Sequence, residues 1–535
     1  MTAIMETLLF MLAVLAGIAV LARRLNTAPS ILLVIAGIGM AFVPGLPRVQ
    51  FAPELVLLII LPPLIYSAGV SMSWREFRFN LRPIALLAFG CVAFTTCAVA
   101  AAAHYLLGFS WAAGFVLGAI VAPPDVVAPL AIARRLGLPR RLVVVLEGEG
   151  LANDATALIL YRFAVAAVAA GTFSVEQAGG TFALIVVGEV LYGIVIGWLS
   201  LRLRQWAHDP RVEITLSLMT PYFAFWVPEY LGGSGVLATV ACGLYVSWNG
   251  PLLIGYATRL QGIFFWDLLV YLIEGLVFLL TGLEARALLE DVHAFSIGDL
   301  LTATALTFLI VVLARFTWVF PATYVPRWIY PPLAKRDPAP PWQLPFMLAF
   351  TGIRGVVSLA AALAIPYAVE SGQPFPHRAL ILFVTFGVII VTLVGQGLLL
   401  PSVARWLGLT REGKTERMND IQAELAARQA ALQEVENRLE ALAGERQLPD
   451  DVLALLRTRN LSRTQILPKD FADGLEHMRQ SAALKKELID AERRFVYQLL
   501  RDGKITDEAR RRIEYELDLE EASLANRGHD GGGWF

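Results

Sequence analysis

Between residues 4 and 401 the chain runs in apolar blocks about twenty residues long, separated by short polar connections. A helix of that length rises about 30 Å, the thickness of a bilayer's hydrocarbon layer. The pattern therefore predicts an all-α polytopic membrane protein. Composition agrees, with 17% charged residues where a soluble chain carries about a quarter.

Thirteen transmembrane spans are expected, at about 4–22, 29–44, 52–70, 82–106, 110–133, 142–168, 180–203, 212–228, 233–248, 263–285, 298–322, 343–368 and 377–401. Alternate connections carry the basic residues: Arg23 and Arg24, then Arg75, Arg78 and Arg82, then Arg134, Arg135, Arg140 and Arg141. The series continues with Arg202, Arg204, Arg211, Arg259, Arg327, Lys335 and Arg336, whereas the opposite connections hold Arg48, Arg286 and Arg378. Positive charge stays on the cytoplasmic side, which predicts an N-terminus outside, a C-terminus inside and an odd number of spans. The first block lacks a basic lead and a small-residue cleavage site, so it reads as a retained span and not a signal peptide. Its expected home is the cytoplasmic membrane.

Residues 402–535 are rich in Glu, Arg, Lys and Ala and read as a cytoplasmic helical tail. Ile421, Leu425, Leu432, Val435, Leu439 and Leu442 follow a 4–3 spacing, a stripe suited to a coiled coil or to folding back on its neighbours. The closing RGHDGGGWF reads as disordered. Cys91, Cys97 and Cys242 lie in apolar blocks and are expected to be buried thiols. With a net charge of −1 and its charges sorted by location, the chain is not expected to bind nucleic acid.

Polar groups at membrane depth are costly, about 2.5–3.5 kcal/mol for a charge at the bilayer centre, so they face a protein interior or a wet cavity. Three stretches carry them. In GEGLANDATALILY of span 6, Glu149 and Asn153 are four apart on one helix face and Asp154 follows. In AIVAPPDVVAPL of span 5, Pro123 and Pro124 remove two donors and break the helix immediately before Asp125. In FTGIRGVVSLAAALAIP of span 12, Gly352, Arg354 and Gly355 weaken a second helix. Span 12 lies seven spans after span 5 and runs the opposite way. That relation predicts two inverted six-helix repeats with discontinuous helices crossing at the midplane, where transporters bind their substrates. Asp125, Asp154, Glu149 and Arg354 would then meet, and freed carbonyls there would suit a hard cation.

The segments APPDVVAP, GEGLANDATALILY and TGIRGVVSLAAAL, in this order, resemble the monovalent cation:proton antiporter-1 family, above all its bacterial sodium/proton antiporters with a cytoplasmic tail. LPPLIYSAG and FWDLLVYLIEGLVFLLTGLE are also similar to family segments. The resemblance implies a transmembrane domain over residues 1–401, with a panel of spans 1–3 and 8–10, a core of spans 4–6 and 11–13, and a homodimer formed through the panel. It implies that Asp154 binds either sodium or a proton, that Asn153 orients it, and that Asp125 belongs to the unwound helix and also contacts sodium. Asn rather than Asp at 153 implies one-for-one, electroneutral exchange. Glu149 resembles one half of a buried charge pair, with Arg354 as its partner and Arg315 as the rival. Ser67, Pro124 and Gly150 depart from the acidic residue, threonine and serine often found at those places, which leaves the cation open: sodium is expected, potassium is the alternative. The transported ions need no cofactor, and no enzymatic activity is expected. An organic-anion symporter would want more cationic or hydroxyl groups at the breaks than Arg354 alone. An intramembrane protease pairing Asp125 with Asp154 would want a peptide-cleaving motif that the chain lacks.

Overall fold

The computed structural model describes residues 2–25, 27–44, 56–170, 175–292, 295–369, 373–446, 450–465, 471–502 and 504–528. Among them the regular structure is helical, with one isolated bridge between Ala368 and Pro374. Two compact units divide the chain, Met1–Glu412 and Gly413–Phe535.

In the first unit the longer helices are α1 (Thr2–Leu25), α2 (Pro29–Ala41), α3 (Val56–Ser71), α4 (Leu81–Leu107), α5 (Trp111–Val121), α6 (Val127–Leu136), α7 (Arg140–Ala170) and α8 (Val175–Ala207). They are followed by α9 (Pro210–Tyr230), α10 (Val236–Leu253), α11 (Tyr256–Leu283), α12 (Ile297–Ile329), α13 (Gln343–Phe350), α14 (Val356–Leu363) and α15 (Arg378–Trp406). Seven helices among the described residues are long and apolar enough to cross a membrane, in α4, α7, α8, α10, α11, α12 and α15. Two stretches read as single spans are split into halves, α5–α6 and α13–α14. At 11 residues α5 rises about 16 Å, half a crossing.

Small residues let the helices approach closely. Gly37 of α2 faces Gly282 of α11, Gly69 of α3 faces Gly243 of α10, and Gly118 of α5 lies against Thr96 of α4; a Cβ on any of these glycines would enter or crowd the facing backbone. Among the described residues, three π-helical turns interrupt the α-helices, at Val56–Ile60, Leu86–Cys91 and Val391–Gln396. A π turn shifts the hydrogen-bond ladder and releases carbonyls, and neighbouring helices collect them. Trp318 Nε1 donates to Leu86 O at 2.9 Å, Trp226 Nε1 to Leu58 O at 3.1 Å, and the Tyr222 hydroxyl to Ile59 O at 3.1 Å.

Glu189 and Glu274 are acids inside otherwise apolar helices. Glu189 of α8 caps the start of α10: its carboxylate accepts from the backbone of Ser234, Gly235 and Leu237 at 2.5, 3.1 and 3.1 Å. An anion there satisfies orphan N–H groups and complements the helix dipole. Cys91 and Cys242 are buried as expected, but Cys97 is exposed because it sits on the outward face of α4.

The second unit contains Asp450–Gln465, Phe471–Arg501 and Asp507–Gly528, together with most of Leu409–Arg446. Asn460 Nδ2 donates to Glu436 at 3.0 Å, so the helix bearing the apolar stripe is met by its neighbour. The last two helices form a hairpin around Ile489 and Leu517, with Arg493 reaching Asp518 at 2.8 Å and Glu521 at 2.9 Å. Residues 529–535 of the terminal stretch lie outside the described residues.

Candidate ion-binding site

The break between α5 and α6 leaves the carbonyls at the end of α5 without their usual i+4 donors, because Pro124 has no N–H and Asp125 has left the helix. Arg354, from the opposite break, takes them. Its Nε donates to Val121 O at 2.8 Å and its Nη2 to Ala122 O at 3.2 Å. A third bond goes to Gly352 O within its own break. The side chain is 1% exposed, a cation seated at the negative end of a half-helix.

The two breaks also join through backbone, Asp125 N donating to Ile353 O at 2.7 Å. Gly355 makes this approach possible: a Cβ there would overlap the Asp125 carboxylate. Asp125 Oδ1 accepts from Val127 N at 2.9 Å and so opens α6. From α15, Thr392 Oγ1 accepts from Arg354 N at 3.0 Å. From α7, Asn153 Nδ2 donates to Pro124 O at 2.6 Å. Each break is therefore held by a side chain of the long helix that follows it.

Asn153 is fully buried, and its Oδ1 has no hydrogen-bond partner. Beside it Asp154 is only partly covered, and the charge of Asp125 acts on it. Neither Asp125 nor Asp154 has a basic side chain bonded to it among the described residues.

Glu149 is treated differently. Its carboxylate is 0% exposed and takes a two-pronged bond from Arg315 of α12, at 2.5 and 2.8 Å. Arg315 Nε donates onward to Leu348 O at 3.1 Å. The rival partner is thus the actual one, and the expectation that Arg354 pairs with Glu149 is corrected. The reason is that the orphan carbonyls of α5 and the Gly352 carbonyl consume the Arg354 guanidinium. Gly352 has its own steric reason, since a Cβ there would press on Arg315 Cδ at 2.6 Å.

The structure brings Asp125, Asn153, Asp154, Arg354, Pro124 and Gly355 into one region. Ser67 of α3 is half-buried, and no hydrogen bond joins its hydroxyl to Asp125, Asn153 or Asp154 among the described residues. At Gly150 a Cβ would run into Val126 Cγ2, so the serine common at that place would need a smaller residue in the break. Thr392 was missed from sequence, because a lone threonine in an apolar helix carries no signal.

Comparison with known proteins decides the family. A profile described as sodium/hydrogen exchanger, transmembrane, matches residues 10–406. The chain belongs to the sodium/hydrogen exchanger family. It is 34% identical to an uncharacterised Na+/H+ exchanger of Mycobacterium tuberculosis over 94% of this chain and 93% of that one. A sodium, potassium, lithium and rubidium/H+ antiporter of Bacillus pumilus is 29% identical over 96% and 77%. Among solved structures, the sodium proton antiporter MjNhaP1 of Methanocaldococcus jannaschii superposes with a TM-score of 0.59 over 76% of this chain and 99% of that one, at 17% identity. That last likeness speaks for the fold. As a family member this chain is a multi-pass membrane antiporter of the Na+/H+ exchange type.

Proposed function

We propose that this antiporter exchanges cytoplasmic sodium for protons by alternating access, with Asp154 holding one ion or the other. One observation carries the reading: among the described residues, the acid beside the two joined helix breaks has no basic partner, while the neighbouring acid Glu149 has a full one. A carboxylate already neutralised by arginine has no affinity to spare for sodium. Asp154 does, with Asp125, the Asn153 Oδ1 and Ser67 as additional oxygen donors for a hard cation.

The cycle follows from charge. An empty, ionised Asp154 faces a desolvation penalty on moving through a dry interior, whereas the sodium-loaded and protonated forms are neutral. Only loaded forms cross, so the ions alternate, and the inward proton gradient expels sodium. Asn153, neutral where a second carboxylate would add a charge, favours one proton per sodium. Within this reading the chain crosses the cytoplasmic membrane thirteen times, N-terminus outside and C-terminus inside. Two inverted repeats supply a core (spans 4–6 and 11–13) that moves against a panel (spans 1–3 and 8–10), and the panel forms a homodimer.

Ion pairs fit this division. Arg162 of α7 bonds Glu229 and Gly233 O, linking a core helix to the panel side, and the two charged side chains are 35% and 27% exposed. Such a pair contributes about 1 kcal/mol or less and opens readily. Glu149–Arg315 lies wholly within the core, where breaking it costs about 3–5 kcal/mol, and it travels intact.

Potassium is the second reading, supported by the printed specificity of the Bacillus pumilus relative. Everted vesicles answer both questions. Sodium-dependent proton movement that vanishes in Asp154→Asn is expected, with sodium dequenching at lower concentration than potassium. Persistence in the variant removes Asp154 from the mechanism, and a stronger potassium response reassigns the cation.

A further inference from the structure

On the arginine-rich side of the first unit, away from the helix breaks, three arginines converge on one aspartate. Asp337 accepts from Arg141 at Oδ1 (2.8 Å) and from Arg82 and Arg327 at Oδ2 (2.8 and 2.7 Å). The cluster keeps a net charge of +2 by this count, three guanidinium groups against one carboxylate. Its three arginines line a cavity of about 40 Å³, and no acidic side chain is among the lining residues. That space is about three times what one water occupies.

Two further observations accompany it. Arg82 lines the cavity, and its buried Nη1 has no hydrogen-bond partner. The cavity is also walled by the first turns of three helices, at Pro83 of α4, Leu142 of α7 and Leu344 of α13. Helix N-termini carry partial positive charge and favour anions. Guanidinium forks match the oxygens of a phosphate better than any other side chain does.

We infer that this cavity is a binding site for a phosphate group, with the Asp337 carboxylate as a resident anion that leaves two charges uncompensated. The oxygens would bond the cavity-lining guanidinium groups of Arg82, Arg141 and Arg327. The same chemistry is offered by a soluble phosphate and by the headgroup of an anionic phospholipid at the membrane edge. Because α4, α7, α12 and the segment before α13 all contribute, an occupied site would tie these helices together without touching Asp154.

The test is thermal unfolding of the purified full-length protein, followed by tryptophan fluorescence. It compares inorganic phosphate with chloride at equal ionic strength, and nanodiscs of phosphatidylglycerol with nanodiscs of phosphatidylcholine. A rise of several degrees with phosphate assigns a soluble ligand. A rise confined to phosphatidylglycerol assigns a lipid headgroup. Either rise should be lost in Arg82→Gln and reduced in Arg141→Gln, whose partly exposed side chain makes it the safer variant for folding. No rise with either probe, or an undiminished rise in both variants, overturns the site. The readout is independent of transport, so a failure here and a failure of Asp154 are told apart.

Discussion

Glu149 and Asp154 are five residues apart on α7, both are acids at membrane depth, and they live in opposite circumstances. Glu149 is sealed, bonded twice by Arg315 and tied through it to the Leu348 carbonyl. Asp154 is partly open, bordered by the Asp125 charge and by an unsatisfied Asn153 oxygen. A charge that holds a protein together must be compensated in the protein; a charge that carries an ion must not be. Under the proposed function, that difference separates brace from binding group on one helix.

Breaking the comparison at its working end has the largest expected effect. Asp154→Asn should abolish sodium-dependent proton movement while shifting stability by less than about 1 kcal/mol, since no bonded partner loses its mate. Vesicle fluorescence and a melting curve on the same preparation check both halves. At the other end, Glu149→Gln should destabilise by about 3–5 kcal/mol by stranding the buried Arg315, read as a large drop in melting temperature and poor recovery. Arg315→Ala should do the same, and the double variant should cost less than the sum. Next comes Arg354→Ala, which strands the carbonyls of Val121 and Ala122 at about 1–3 kcal/mol each and lets the breaks part. It should lower both stability and exchange, where Glu149→Gln acts on exchange only through folding. The smallest effect belongs to Glu189→Gln, a weakened helix cap worth about 1–2 kcal/mol with exchange retained per folded molecule. If Glu189→Gln instead abolished exchange in a stable protein, Glu189 would join the working acids.

Much of this was legible because membrane burial makes polar residues expensive. The Pro-Pro-Asp and Gly-x-Arg-Gly runs announced two helix breaks, and they break at Ala122–Val126 and Thr351–Gly355. Asn153 could be put on the right face of α7 from spacing alone. What spacing does not encode is which of two buried arginines meets a given acid. Glu149 and Arg315 are 166 positions apart, and their meeting depends on how α7 and α12 are rotated. Glu189 illustrates the same limit, reaching a cap 45 residues downstream on another helix. Thr392 was invisible for a different reason: its role is to accept one backbone bond, which any threonine can do.

The claim at the centre is that one acid is shared between sodium and a proton, and sodium affinity measured against pH tests it most directly. Calorimetric titration of the purified protein should show the sodium Kd rising about tenfold for each unit of pH lowered below the acid's titration point, with one proton released per sodium bound, and no binding in Asp154→Asn. A sodium Kd that stays constant across that range, with no proton released, would contradict the account.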